Sequence, residues 1–137
     1  YYYAFKSLKK LRDAGIKFLV IAGQHDQPKV ASLSPIKVLD EVGLVKSLAI
    51  RHGDVASHVI DLRSGTLGIV AIPYFDPSLT QDVLKKIMPL STHKKILMAH
   101  MLLKELNIPN AHASLSELIC LYLALSHSSK CLIEYGL

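Results

Sequence analysis

Apolar residues spaced by threes at Phe5, Leu8 and Leu11, set among lysines, predict an amphipathic helix over residues 3–14 with Gly15 as its stop. The pattern then changes. The run Lys17-Phe-Leu-Val-Ile-Ala22 is compact and rich in β-formers, which predicts a buried strand that breaks into a polar loop at 23–28. Ser34-Pro35 reads as an N-cap with proline at the first helical position, opening a helix that stops at Gly43. Residues 44–50 predict a second strand. Two more, at 58–62 and 66–72, flank Arg63-Ser64-Gly65 as a hairpin turn. A loop at 73–77 leads into a helix over 78–88, and residues 94–99 predict a strand ending at His100. The tail predicts a short helix near 114–118 and strands near 121–125 and 131–135. Helices and strands mix without strict alternation around a central hairpin. The expectation is a layered α/β domain, with one mixed sheet or two sheets flanked by helices.

Length narrows this to a single domain, 1–137, with one core. No internal repeat or linker divides it. Half the residues are hydrophobic and a fifth are charged, a globular rather than a disordered balance. The longest apolar run, from Leu118 to Leu125 with Tyr122 inside it, is too short to span a bilayer. Nothing at the start reads as a signal peptide, so the expectation is a cytoplasmic protein with no membrane contact. The chain opens on Tyr1-Tyr2-Tyr3 without an initiator methionine, which suggests either unseen upstream residues or a processed product. Those tyrosines could stack on bases or pack against a neighbouring element.

Charge changes the picture modestly. The net charge is +5, with Lys6, Lys9, Lys10 and Arg12 on the first helix and Lys85, Lys86, Lys94 and Lys95 further on. Such clusters read either as solvated helix faces or as phosphate contacts. Cys120 and Cys131 lack CxxC spacing and read as buried free thiols. Met88, Met98 and Met101 read as core filling.

Three histidines, His25, His100 and His127, each stand in a loop directly after an apolar strand. Ligands of α/β sheets gather beyond the carboxyl ends of strands, so these imidazoles could converge there, and imidazole is the commonest metal ligand. Each could instead be structural. His112, after Pro109-Asn110, reads as a solvent-facing loop residue, and His52 and His58 as part of a turn around Gly53-Asp54. The chain has no phosphate-binding G-x-x-x-x-G-K-[ST] loop, no H-E-x-x-H and no G-x-S-x-G elbow.

The segment KFLVIAGQHDQP at 17–28 resembles the strand and loop carrying the Gly-Asn-His-Asp motif of calcineurin-like metallophosphoesterases. SPIKVLDEVGLV, at 34–45, resembles the helix that follows this motif in the SbcD-type DNA double-strand-break repair nucleases. KKILMAH, at 94–100, resembles the strand delivering a metal-binding histidine, and the segment 114–137 resembles the family's tail. The resemblance runs in the family's order over nearly the whole chain. It implies the middle and carboxyl-terminal part of a metallophosphoesterase sandwich. The implied chemistry is hydrolysis of DNA phosphodiesters by two divalent cations, Mn²⁺ by family expectation, about 3.5–4 Å apart. By resemblance His25 is the catalytic histidine, His100 and His127 are ligands of the second metal, and Gln24 stands at a ligand position. Asp26 is implied as a loop-ordering carboxylate.

The departures are specific. The family's Asp-x-His and Gly-Asp ligands lie before its equivalent of the first helix, and this chain carries neither there; Gly53-Asp54 comes after the motif. Gln24 replaces an asparagine, moving its carbonyl oxygen by roughly 1.5 Å against a tolerance of about 0.2 Å. Ser126 and Ser129 replace a glycine and a histidine of the last motif, and a hydroxyl is a poor ligand beside imidazole. The expectation is therefore an incomplete site, in a nuclease-family protein or in an inactive scaffold that keeps the fold. Partners implied by the family are DNA ends, an SMC-like coiled-coil ATPase and a second copy, which would dimerise near the helix at 34–42.

Overall fold

A computed structural model describes residues 2–26, 34–87, 90–92 and 94–119 of the chain. The strands expected at 121–125 and 131–135 lie outside the described residues, as do His127, Met88 and both cysteines.

Two helices end as their glycines predict. Helix α1, Tyr2–Asp13, closes where Gly15 adopts φ +74° and the amides of Gly15 and Ile16 donate to the carbonyls of Arg12 and Leu11. Helix α2, Pro35–Glu41, repeats the device: Gly43 has φ +69°, and the amides of Gly43 and Leu44 donate to Asp40 and Leu39. Both are Schellman closures, in which a glycine in the left-handed region satisfies the last carbonyls. The start of α2 departs from expectation. Ser34 stands at the N-cap position but makes no side-chain cap; its hydroxyl donates instead to the Asp26 carbonyl at 2.9 Å. The hydroxyl thus ties the helix to the polar loop after the first strand.

Strand β1, Leu19–Ile21, pairs in parallel with β2, Lys46–Ala49, with an irregularity between Val20 and Ile21. A second sheet has the order β3–β4–β5. Strands β3, Ala56–Leu62, and β4, Gly65–Ile72, form an antiparallel hairpin whose last pair is Leu62 with Gly65. Strand β5, Lys94–Ala99, pairs in parallel with β4. The helix expected over 78–88 begins as a 3-10 turn, Pro77–Leu79, and continues as α3, Thr80–Lys85. Asp76 caps that turn by accepting from the Ser78 amide at 2.9 Å.

Strand β4 is the centre of the molecule. Its side chains alternate between two cores, as the two-residue period of a strand requires. Val70 and Ile72 point to one, with Phe75, Val83 and Ile87. Ile69 and Ala71 point to the other, with Leu48 and Ala49 of the β1–β2 layer. The result is a layered α/β arrangement of one parallel and one mixed sheet with helices outside. The expected fold class holds. His58, expected where a turn gives way to the strand at 58–62, lies within β3 and spans the two sheets, its Nε2 lying 3.0 Å from the Leu48 carbonyl.

Candidate functional site

The carboxyl ends of the strands meet on one rim. Past the end of β1, the Ala22 amide donates to Ala49 of β2 at 3.0 Å, and the Ala22 carbonyl accepts from Tyr74, just beyond β4, at 2.9 Å. The His100 amide, just beyond β5, donates to Ile72 at 3.0 Å. These bonds stitch the two sheets together and hold the loops after β1, β4 and β5 side by side. A buried sheet ending in open loops is where an α/β protein can place polar side chains without burying them.

The loop after β1 is ordered by its own carboxylate. Asp26 accepts from the Gly23 amide through Oδ2 at 3.0 Å, and its amide donates back to the Gly23 carbonyl at 3.2 Å. Asp26 thus orders the loop, as the family resemblance implies. Next to it, Gln24 Nε2 and His25 Nε2 lie 3.0 Å apart, both residues being exposed. The His100 imidazole rests over Gly23: a Cβ added there would sit 3.1 Å from His100 Cε1 and 3.2 Å from Asp26 Oδ2. The structure therefore brings His100 onto the Gln24-His25-Asp26 loop. His127 is outside the described residues.

One rim residue escaped the sequence reading. Tyr74 is half-buried and meets His100 edge-on, with ring centroids 5.7 Å apart, and His52 likewise at 6.1 Å. Its own position, directly after a buried strand, was the available signal. His112 corrects an expectation. Read as solvent-facing, it is 4% exposed, and both ring nitrogens are engaged. Its Nδ1 accepts from the Leu102 amide at 3.0 Å, and its Nε2 lies 2.8 Å from the Phe75 carbonyl. A flanking Pro-Asn pair signals a turn but cannot show that the chain beyond it folds back inside. His52 does lie in the turn after β2, which closes by an Asp54 amide bond to Arg51; the Gly53 carbonyl accepts from Lys86 at 3.0 Å.

A resident divalent cation asks for three or four protein donors. Among the described residues no group of three His, Cys, Asp or Glu side chains could hold one. His100 and Asp26 approach the same point, but Asp26 Oδ2 already takes an amide hydrogen. The described residues by themselves do not fit the metal pair that the resemblance implies. What they offer is two exposed imidazoles and a carboxamide on one rim, groups able to hydrogen-bond an anionic oxygen or move a proton. Among the described residues, no helix is long and apolar enough to cross a membrane.

No family model matches the chain. Three curated proteins do. The chain is 33% identical over 108 residues to the DNA double-strand break repair protein Mre11 of Sulfurisphaera tokodaii, covering 74% of this chain and 25% of the relative. It is 34% identical over 99 residues to the Sulfolobus acidocaldarius protein of the same name, covering 72% and 25%. The Saccharolobus solfataricus counterpart is 33% identical over 104 residues, covering 75% and 26%. The chain spans about a quarter of the length of the relatives it matches.

Proposed function

Since this chain belongs, as a partial counterpart, to the calcineurin-like DNA double-strand break repair nucleases of the Mre11 family, we propose that its histidine rim engages DNA phosphodiesters through an incomplete catalytic site. The observation that carries this reading is the seating of His100 over Gly23 and Asp26, beside Gln24 and His25. Residues 74 or more apart in sequence, in motifs that resemble the family's, thereby share one loop cluster. In this reading His25 supplies a hydrogen bond to a phosphate oxygen or a proton to the leaving oxygen. His100 and His127, with Gln24 in a weakened role, are the remaining metal-facing positions, and Mn²⁺ is the cation to test. DNA ends are the ligand, with a second copy and an SMC-like ATPase as assembly partners in the cytoplasm.

A labelled duplex with a recessed end tests this. The chain binds the duplex end, His25→Ala and His100→Ala weaken that binding, and Mn²⁺-dependent hydrolysis is slow or absent. Where turnover is measurable, His25→Ala lowers it by about 10²–10⁴-fold, the usual contribution of a positioned acid. Equal DNA affinity in both variants and the parent chain would sink the proposal. The absence of a three-donor group among the described residues favours a second reading, an inactive scaffold or binding module that keeps the fold for DNA, dimer or ATPase contacts. End binding without any hydrolysis at saturating Mn²⁺ selects that reading over a slow nuclease.

A further inference from the structure

The chain leaves β5 at His100 and makes a circuit that brings Ala113 beside Leu103 in a parallel bridge. Its neck is closed by main-chain bonds, His112 amide to Leu102 carbonyl at 2.8 Å and Lys104 amide to Ala113 carbonyl at 2.9 Å. Those bonds need no particular side chain. The imidazole of His112 adds something they do not supply. A main-chain amide can only donate and a carbonyl can only accept, so the Leu102 and Phe75 contacts together fix one neutral tautomer, with the proton on Nε2. The ring therefore bridges the loop after β5 to the loop after β4. There it packs edge-on against Phe75 at 4.6 Å and Tyr74 at 5.9 Å. Tyr74 in turn meets His100 edge-on, at 5.7 Å and 83°.

We propose that His112 is a positioning residue: it locks the loop after β4 to the loop after β5, and through Tyr74 it sets the orientation of the His100 imidazole. It touches no substrate. This rests on the reading that His100 belongs to the site, but the geometry it describes can be measured without any reaction. A merely structural residue would lower stability when replaced and leave the His100 ring where it is.

The test uses the whole chain with ¹³C-labelled histidine, observed by NMR, with the His100 ring signal assigned from its loss in His100→Gln. His112→Phe keeps a flat aromatic ring and removes both bonds. The His100 signal shifts in that variant, whereas Ile69→Val, a destabilising change in the opposite core, leaves it in place. An unshifted His100 signal in folded His112→Phe overturns the proposal, as does an equal shift in Ile69→Val. If His112→Phe does not fold, His112→Asn decides. Its amide oxygen can still accept from Leu102 but is too short to reach Phe75, so the signal shifts if the bridge matters and stays if it does not. Unchanged DNA binding in His100→Gln, alongside a shifted His100 signal in His112→Phe, would remove the proposed function and leave the positioning role standing.

Discussion

Gly23 shows at the scale of one residue how the site is held. Its backbone is not left-handed, so what it provides is space rather than conformational freedom. His100 and Asp26 both crowd the volume where a side chain would begin. Gly23→Ala must therefore push back the imidazole or the carboxylate that closes the loop. The neighbouring atoms, 3.1–3.3 Å away, need to give by only a few tenths of an ångström, so the change falls on the exposed His100 ring and weaker DNA-end binding is the expected result; an unchanged affinity would mean the loop yields freely. The place of this loop was legible in the sequence, because glycine, histidine and aspartate sit together after an apolar strand. His112 was not. Whether an imidazole two residues past a Pro-Asn pair faces water or a carbonyl 37 residues earlier is decided by tertiary folding, and no local pattern encodes it.

Among the elements, the ends were more legible than the lengths. Gly15 and Gly43 mark real helix termini because few other residues tolerate the left-handed turn that closes them. Ser34 misled because a serine hydroxyl can serve its own helix or a distant carbonyl, and here the Asp26 carbonyl wins. Two acidic caps carry a consequence for pH. The Asp76 carboxyl is held below its ordinary 3.8, first by the Ser78 hydroxyl and then by the Ser78 amide. Glu117 is held below 4.5, first by the Ser114 amide and then by Lys104. A lowered folded value means each cap contributes fully above the ordinary carboxylate range and loses its contribution as pH falls through the lowered value. Thermal midpoints should therefore fall on acidification below the 3.8–4.5 range of these ordinary values. Asp76→Asn should lower the midpoint at neutral pH and make its acid-side decline shallower. An identical pH profile in that variant would show that the cap does not couple to folding.

At the scale of the whole molecule, the alternation along β4 explains why a mixed layered fold was readable: a strand apolar on both faces needs a layer on each side. The pairing of β1 with β2 and of β4 with β5 was not readable, because parallel partners are joined through long connections whose partners no local pattern names. Helix α1 stands apart. It has no fully buried residue; Phe5 is 46% exposed while Leu8 and Leu11 are half-buried, so the stripe that predicted it is only partly covered among the described residues. Its lysines face solvent too, whereas Lys86 and Lys104 are engaged by Gly53 and Glu117. If α1 meets the phosphate backbone, replacing Lys6, Lys9 and Lys10 by alanine should weaken duplex binding. It should also flatten the dependence of log affinity on log salt by about 0.9 for each contact removed. An unaltered slope would assign those lysines to hydration alone. The loop between β5 and residue 113 has a further use. Its neck is fastened by backbone bonds and by His112, while its tip carries Asn107 and Asn110 at positive φ and is exposed, Ile108 by 38%. Because closure entropy grows only with the logarithm of length, doubling this loop with Gly-Ser residues between Ile108 and Pro109 should cost only about 0.6 kcal/mol. A thermal scan of that insertion checks the cost. The tip is thus a natural place for lineages to splice in new sequence, and for an experimenter to graft a fluorescent reporter, within one loop's reach of the histidines.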